Sequence, residues 1–544
     1  MLHLPSATAF ALLMAGLFVL AFNQRFWLTA AGLFWTGSAA DAAFLAALGL
    51  LLLLAHAVLL LLVPGRLPMQ VAAALLFPLA AMAAYCADSF GVVIDSNMVR
   101  NLGETDHREV MGLLSPRLLV YVVALGVVPV FLVARCRMPP APWRRQLRER
   151  AAFIAAAIVL GAAVSLPFIS RFKLSPEQRH LAYLSVPGAA LISAAEYFRG
   201  DPVPPVHARA ETAARLDGRN PGVKPLMVFL VIGETARHAN FQLGGYPRPT
   251  NPALASLANL YYFTEAEACA TSTALSVPCM LSPLGRDGFS MASYHAVPNV
   301  LEELAAAGVG VTWRSNNTSR FEPGAGVRRV APADDVRAAL CNAESCLDAI
   351  LLEGLEPAPA RGGQDRLDVF HQMGSHGPAY YLRYPPQDEH FRPACRRKDL
   401  PACSAEELRN AYDNTIRYTD HVLARMIDVL ARASADYDTA LLYVSDHGES
   451  LGEKGLFLHS APYRYAPEEQ KRIPFMLWLS DGYQRRARID PACLRGRLQQ
   501  PVSHDNVYHS LLGMMEASHP RYQPMLDPLS ACRAGPAPVP YAAR

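Results

Sequence analysis

Apolar residues gather at the front of the chain. Hydrophobic runs occupy residues 7–22, 42–63, 71–87, 118–133 and 151–169. A bilayer core takes roughly 17–25 helical residues to cross, so the pattern predicts five membrane spans, the shorter runs lengthened by their flanks. No Lys or Arg precedes the first run and the second follows soon after, so the first reads as a retained anchor and not a cleaved signal. His56 lies inside the second run; such a group either serves function or packs between helices. Further on the period changes. Residues 226–232, 309–313, 367–373 and 441–444 are short apolar runs of strand length. Residues 408–430 repeat apolar side chains at three- and four-residue spacing (Tyr412, Ile416, Val422, Leu423, Met426, Ile427, Leu430), which predicts a crossover helix. Strand alternating with helix predicts an α/β domain around a largely parallel sheet. Between the two parts, 181–198 is weakly amphipathic and suited to a membrane surface, and Asp201-Pro202-Val203-Pro204-Pro205 halts any helix. The expected division is a transmembrane domain over 1–172, a bridge over 173–222, a catalytic domain over 223–531 and a flexible tail over 532–544.

Composition fits this mixture: 544 residues, 52% apolar and 18% charged, too many for one domain and too charged for a wholly buried one. The net charge of +3 gives no argument for a nucleic-acid partner. Its local placement matters more. Arg135, Arg137, Arg144, Arg145, Arg148 and Arg150 fall between the fourth and fifth runs, opposed by Glu149 alone. Basic loops stay cytoplasmic, so the residues after 169 are predicted to lie outside the cytoplasm. Eight of the ten cysteines lie in that part, as an oxidising compartment permits, and close spacing suggests the pairs 269–279, 341–346 and 395–403.

Each predicted strand runs directly into polar residues. The four segments are Gly233-Glu234-Thr235-Ala236-Arg237-His238, Arg314-Ser315-Asn316-Asn317, Gly374-Ser375-His376-Gly377 and Ser445-Asp446-His447-Gly448-Glu449. In open α/β sheets the ligand site lies beyond the carboxyl ends of the strands, so these segments are expected to meet, with His459 near them. Carboxylates with imidazoles suit zinc. Taken singly, Asp446-His447-Gly448 is equally a surface turn and Glu234 equally a helix N-terminal acid. A nucleophile comes from Cys269-Ala270-Thr271-Ser272-Thr273, where a hydroxyl at a helix start gains backbone N–H groups that favour phosphate. The residues alone do not rank Thr271, Ser272 and Thr273, and an ordinary N-cap explains the string as well.

With these motifs, and with the stretches Ser276-Val277-Pro278-Cys279-Met280 and Ser450-Leu451-Gly452-Glu453, the sequence resembles the lipid A phosphoethanolamine transferases, the family that includes the mobile colistin-resistance enzymes. The resemblance implies five membrane helices and a periplasmic domain of the alkaline-phosphatase/sulfatase type. It implies Thr273 as nucleophile, and Glu234, Thr273, Asp446 and His447 as ligands of a catalytic zinc. It places His376, Glu449 and His459 on the substrate side, with a second zinc allowed there. Asn101, Thr105 and Glu109, spaced by four, match the family's head-group contacts; without the family they are a solvated helix face. Asn317 and Arg320 stand at the acceptor side. Arg320 departs from the family's Lys-Gly pair, and Arg does not replace Lys freely. The implied reaction moves phosphoethanolamine from phosphatidylethanolamine through Thr273 to a phosphate of lipid A, giving polymyxin resistance. Alternatives are another acceptor (lipopolysaccharide core sugar, periplasmic glucan or protein), a phosphatase or sulfatase on the same fold, and a membrane receptor. Cys279-Met280-Leu281-Ser282 lacks the Pro and Arg of a sulfatase string.

Overall fold

The computed structural model describes residues 2–104, 114–173, 175–200, 214–216, 223–317, 321, 323–355 and 363–534. They fall into two compact units, Met1–Arg100 with Leu114–Gly200, and Asn101–Leu113 with Asp201–Arg544.

The first unit is helical. Its apolar runs form α1 (Ala7–Ala21), α2 (Gln24–Phe34), α3 (Ala39–Leu61) and α4 (Arg66–Phe90). After α5 (Ser96–Glu104), whose residues from Asn101 onward group with the second unit, come α6 (Pro116–Arg135) and α7 (Trp143–Ser165). Four of these spans are long and apolar enough to cross a membrane alone, against the five expected. The first run differs because α1 is only 15 residues long and meets α2 at 66°. Asn23 makes that corner. Its Nδ2 donates to the carbonyls of Phe18 and Val186, both at 2.8 Å, and its Oδ1 accepts the Val186 N–H at 2.9 Å. Leu75, Leu79, Phe131, Ile158 and Val159 point outward from the spans, an apolar exterior that water would not tolerate over such an area. His56 is buried, with Nδ1 2.8 Å from the Leu52 carbonyl one turn earlier. Arg150 is not a free cytoplasmic charge: it is buried and its guanidinium donates to the carbonyls of Leu61, Val63 and Gly65, closing the carboxyl end of α3. Two helices of the expected bridge, α8 (Pro176–Tyr183) and α9 (Gly188–Arg199), group with this unit, and α9 leaves Ile192 and Phe198 exposed.

The second unit is built on a seven-stranded sheet. In chain order its strands are β1 (Leu226–Gly233), β2 (Leu260–Phe263), β3 (Gly310–Ser315), β4 (Arg328–Arg329), β5 (Arg366–His371), β6 (Asp438–Ser445) and β7 (Phe475–Leu479). The spatial order is β2-β7-β6-β1-β5-β3-β4. The block from β6 to β4 is parallel, and β7 runs antiparallel between β6 and β2. Strands β2 and β7 were absent from the sequence reading: Leu-Tyr-Tyr-Phe and Phe-Met-Leu-Trp-Leu are apolar without alternation, which suits a strand covered on both faces. β1 shows such covering. Leu226, Val228, Leu230 and Ile232 pack into one core, and Met227, Phe229 and Val231 into the other. The crossover helix is α11 (Ala405–Ala433), preceded in the chain by α10 (Thr273–Leu281), and its start is fixed by a capping box between Ser404 and Glu407. It buries Tyr412, Ile416, Leu423 and Leu430 against β1 and β6 residues of the second core.

All eight cysteines of this unit are paired. Three pairs follow the spacing; the fourth joins Cys493 to Cys532, 39 positions apart. Arg533 beyond it donates to the Gly513 carbonyl at 2.8 Å, so the chain stays attached up to that point. Closing a loop of this length removes about 4 kcal/mol of entropy from the unfolded chain. Replacing Cys493 and Cys532 by Ser in the full-length protein is expected to lower the thermal midpoint by several degrees under non-reducing conditions. An unchanged midpoint in detergent would show that the bond contributes no stability.

Candidate metal and nucleophile site

β1, β5, β6 and β3 end side by side, and the four polar segments meet there. Beyond β1 the chain turns at Thr235, whose φ of 51° sets Glu234 inward. Beyond β6 lie Asp446 and His447. The oxygen and nitrogen donors of Glu234, Asp446 and His447 lie within 4.8 Å of one another, and all three residues are fully buried. Thr273, the first residue of α10, brings Oγ1 to 3.1 Å from Glu234 Oε2 and 3.3 Å from His447 Nε2. The other hydroxyls are engaged elsewhere or turned away. Thr271 donates to the Ala461 carbonyl at 2.6 Å, and Ser272 is the buried N-cap residue without a side-chain capping bond. Of three hydroxyls that the sequence leaves unranked, Thr273 is the one that meets the acid and the imidazole.

Electrostatics point to a cation. Two fully buried carboxyl groups face one another. Asp446 Oδ1 accepts the N–H groups of Thr235 at 3.0 Å and His447 at 2.7 Å, whereas buried Oδ2 has no hydrogen-bond partner among the described residues. Burial, and then the charge of Asp446, pushes the Glu234 carboxyl well above its usual range. Burial lowers His447 to about 4, so its ring is neutral. Nδ1 of that ring is 2.9 Å from the Gly448 carbonyl, which can only accept; the proton therefore sits on Nδ1 and the Nε2 lone pair faces the carboxylates. One imidazole lone pair and two carboxyl groups thus converge on one buried point, a donor set that a positive ion would satisfy. One imidazole, two carboxylates and a hydroxyl fit a divalent cation.

A second tier borders the first. Donor atoms of Glu234, His376 and His459 also lie within 4.8 Å of one another. His459 Nδ1 is 2.8 Å from Glu449 Oε2, and Tyr380 donates to Glu449 Oε1 at 2.5 Å, which turns Nε2 of His459 away from the buried acid. The ring of His459 is centred 4.5 Å from that of His447 and 5.2 Å from that of His376. Burial first, and His459 second, holds His376 well below the usual histidine range. The backbone around His459 is strained: Leu458 and Ser460 have φ of 64° and 69°, at a cost of about 1–3 kcal/mol each. Asn317 Nδ2 donates to Glu234 Oε2 at 2.6 Å and to the Gln372 carbonyl at 3.0 Å. Asn101 Nδ2 donates to Ser460 Oγ at 3.0 Å. Thr105, Glu109 and Arg320 lie outside the described residues.

At Gly448 a Cβ would fall 1.9 Å from the Glu469 carbonyl oxygen, so close approach of two backbones requires glycine. Sequence reading missed three supporting residues. Asp348 accepts the N–H groups of Met373 and Gly374, each at 2.8 Å, and so shapes the loop carrying His376. Tyr380 anchors Glu449. His504 bonds both the nucleophile segment and the end of β6. All three lie away from the strand ends, and none carries a local motif.

Residues 227–517 match the sulfatase family, and residues 51–201 the family described as phosphoethanolamine transferase EptA/EptB. Phosphoethanolamine transferase EptA of Escherichia coli (strain K12) is 34% identical over 462 residues, covering 83% of this chain and 84% of that protein. Phosphatidylethanolamine transferase Mcr-1 of Escherichia coli is 34% identical over 460 residues, covering 82% and 83%. The integral membrane lipooligosaccharide phosphoethanolamine transferase A of Neisseria meningitidis superposes with a TM-score of 0.91 at 28% identity, covering 98% of this chain and 100% of that one. The sheet-edge cluster of acids and histidines, the apolar helices and identity along more than four-fifths of two relatives make this chain a member of the phosphoethanolamine transferase family.

Proposed function

We propose that the protein transfers phosphoethanolamine from phosphatidylethanolamine to a phosphate of lipid A, with Thr273 carrying the group between the two lipids. The observation behind this reading is the position of Thr273 Oγ1, at a helix start and within 3.3 Å of both Glu234 and His447. Glu234, Thr273, Asp446 and His447 hold a catalytic zinc in this reading; when bound, the ion makes the hydroxyl nucleophilic and offsets charge on the phosphoryl oxygens. Thr273 Oγ forms a bond to phosphorus, the phosphorus–oxygen bond to diacylglycerol breaks, and the hydroxyl proton ends on the diacylglycerol oxygen. A lipid A phosphate oxygen then bonds to phosphorus and Thr273 Oγ leaves, regaining a proton. N–H groups in the first turn of α10 face the phosphoryl oxygens. His376, Glu449 and His459 line the substrate side, with room for a second zinc between Glu234, His376 and His459. Asn317 and Arg320 serve the acceptor, and Asn101, Thr105 and Glu109 the donor head group. The bent pair α1–α2 counts as a fifth span, and the second unit works in the periplasm at the inner-membrane surface, where both lipids reside. The added amine reduces the negative charge of lipid A and with it the attraction for cationic polymyxins.

A hydrolase on the same frame is the second reading, favoured by the sulfatase-family match over residues 227–517. It would release free phosphoethanolamine steadily without acceptor.

Thr273→Ala is expected to lower transfer by at least about 10³-fold. Peptide mapping of the wild-type protein after incubation with phosphatidylethanolamine should find the added group on Thr273; wild-type turnover with no trace of it there sinks the covalent route. Chelation should abolish that labelling and lower the thermal midpoint, since the ion binds the folded state alone, and zinc should restore both. Labelling that survives complete removal of metal contradicts the cation's role. Lipid A from cells expressing the protein should gain the mass of one phosphoethanolamine unit, and unmodified lipid A beside a modified core sugar would move the acceptor elsewhere.

A further inference from the structure

His504 lies behind the site and takes no part in the chemistry above. It is fully buried. Its Nδ1 is 3.0 Å from the Cys269 amide and its Nε2 is 2.8 Å from the Ser445 carbonyl. An amide N–H can only donate and a carbonyl can only accept, so these partners fix the ring as neutral with its proton on Nε2. Cys269 opens the disulfide-closed segment that presents Thr273, and Ser445 directly precedes Asp446 and His447. Ser445 is itself a junction: its Oγ accepts the Ala236 N–H and donates to the His447 carbonyl, both at 2.9 Å.

The backbone around His504 is seated on the same segment. Val502–Ser503 pairs with Ala266–Glu267, and the His504 N–H donates to the Glu267 carbonyl at 3.1 Å. The next residue, Asp505, accepts the Arg286 N–H at 2.8 Å, just beyond α10. Other ties of the nucleophile segment run elsewhere: Ala268 to Lys471 and Thr271 to Ala461. The imidazole spans the gap between the hydroxyl's loop and the end of the strand that bears the cation ligands.

We propose that His504 is a positioning residue: its two-ended bridge from Cys269 to Ser445 sets Thr273 Oγ against Asp446 and His447. This rests on the proposed role of Thr273. A displacement near 1 Å costs up to about 100-fold in rate, whereas the acids and His447 remain in place to hold the cation. Asn can supply an acceptor at the Nδ1 position and Gln a donor at the Nε2 position, so each variant keeps one end of the bridge and loses the other.

The test uses the full-length protein in detergent, with His504→Ala, His504→Asn and His504→Gln beside the wild type. Three quantities are measured: the rate at which Thr273 gains phosphoethanolamine mass from phosphatidylethanolamine, the zinc bound per chain, and the thermal midpoint. All three variants are expected to label about 10- to 100-fold more slowly at saturating lipid, with the half-saturating lipid concentration within about twofold and zinc content unchanged. Wild-type labelling rates in Asn or Gln overturn the two-ended bridge. Loss of zinc in the variants overturns it too, because the cation site and not the nucleophile would then depend on His504. Failure of all three to fold reduces His504 to a core residue and also overturns it. A wild-type protein that turns over without ever labelling Thr273 removes the parent reading and this one together.

Discussion

Two acids, Glu234 and Asp446, are held together and fully buried, and much else in the soluble unit follows from their repulsion. Like charges at such a distance in a low-dielectric interior cost several kcal/mol unless one is protonated or a cation intervenes. The protein meets that cost with fixed geometry and without a lysine or arginine among the ligands. Backbone N–H groups of Thr235 and His447 hold one oxygen of Asp446, Asn317 holds one oxygen of Glu234, and His447 is kept neutral. Each of these choices leaves lone pairs pointing inward.

The frame makes this arrangement affordable. β1 is covered on both faces, which pins its end, and its neighbours β5 and β6 are in parallel register with it over their lengths. Strand ends in parallel register bring their following loops to one edge, so Glu234, Asp446, His376 and Asn317 arrive together although some 210 positions separate the first two. That part was legible: apolar runs with polar residues at their carboxyl ends state both the sheet and its working edge. β2 and β7 were not, because runs without alternation do not declare their period. Thr271, Ser272 and Thr273 were legible only as a string of hydroxyls, since what sets Thr271 apart is Ala461, a partner 190 residues away. Asp348, Tyr380 and His504 act through contacts of the same kind, and nothing in their neighbourhoods announces them.

In the helical unit the sequence shows the spans more clearly than their ends. Hydropathy alone locates α3, α4, α6 and α7. At the corner after α1 one amide, Asn23, donates to the carbonyls of Phe18 and Val186 and accepts the Val186 N–H. Arg150 shows a similar limit. It adds to a basic loop by count, yet its side chain is occupied by three carbonyls at the foot of another helix. Charge counting orients such a chain; it does not say which charges reach water.

The disulfide between Cys269 and Cys279 brackets the loop and first turns on which Thr273 stands. In a reducing cytosol those two thiols stay apart, and the loop keeps only its hydrogen bonds to Lys471, Ala461 and His504. Only after export does an oxidant close the ring. The bond that closes this loop is therefore one that the oxidising compartment supplies.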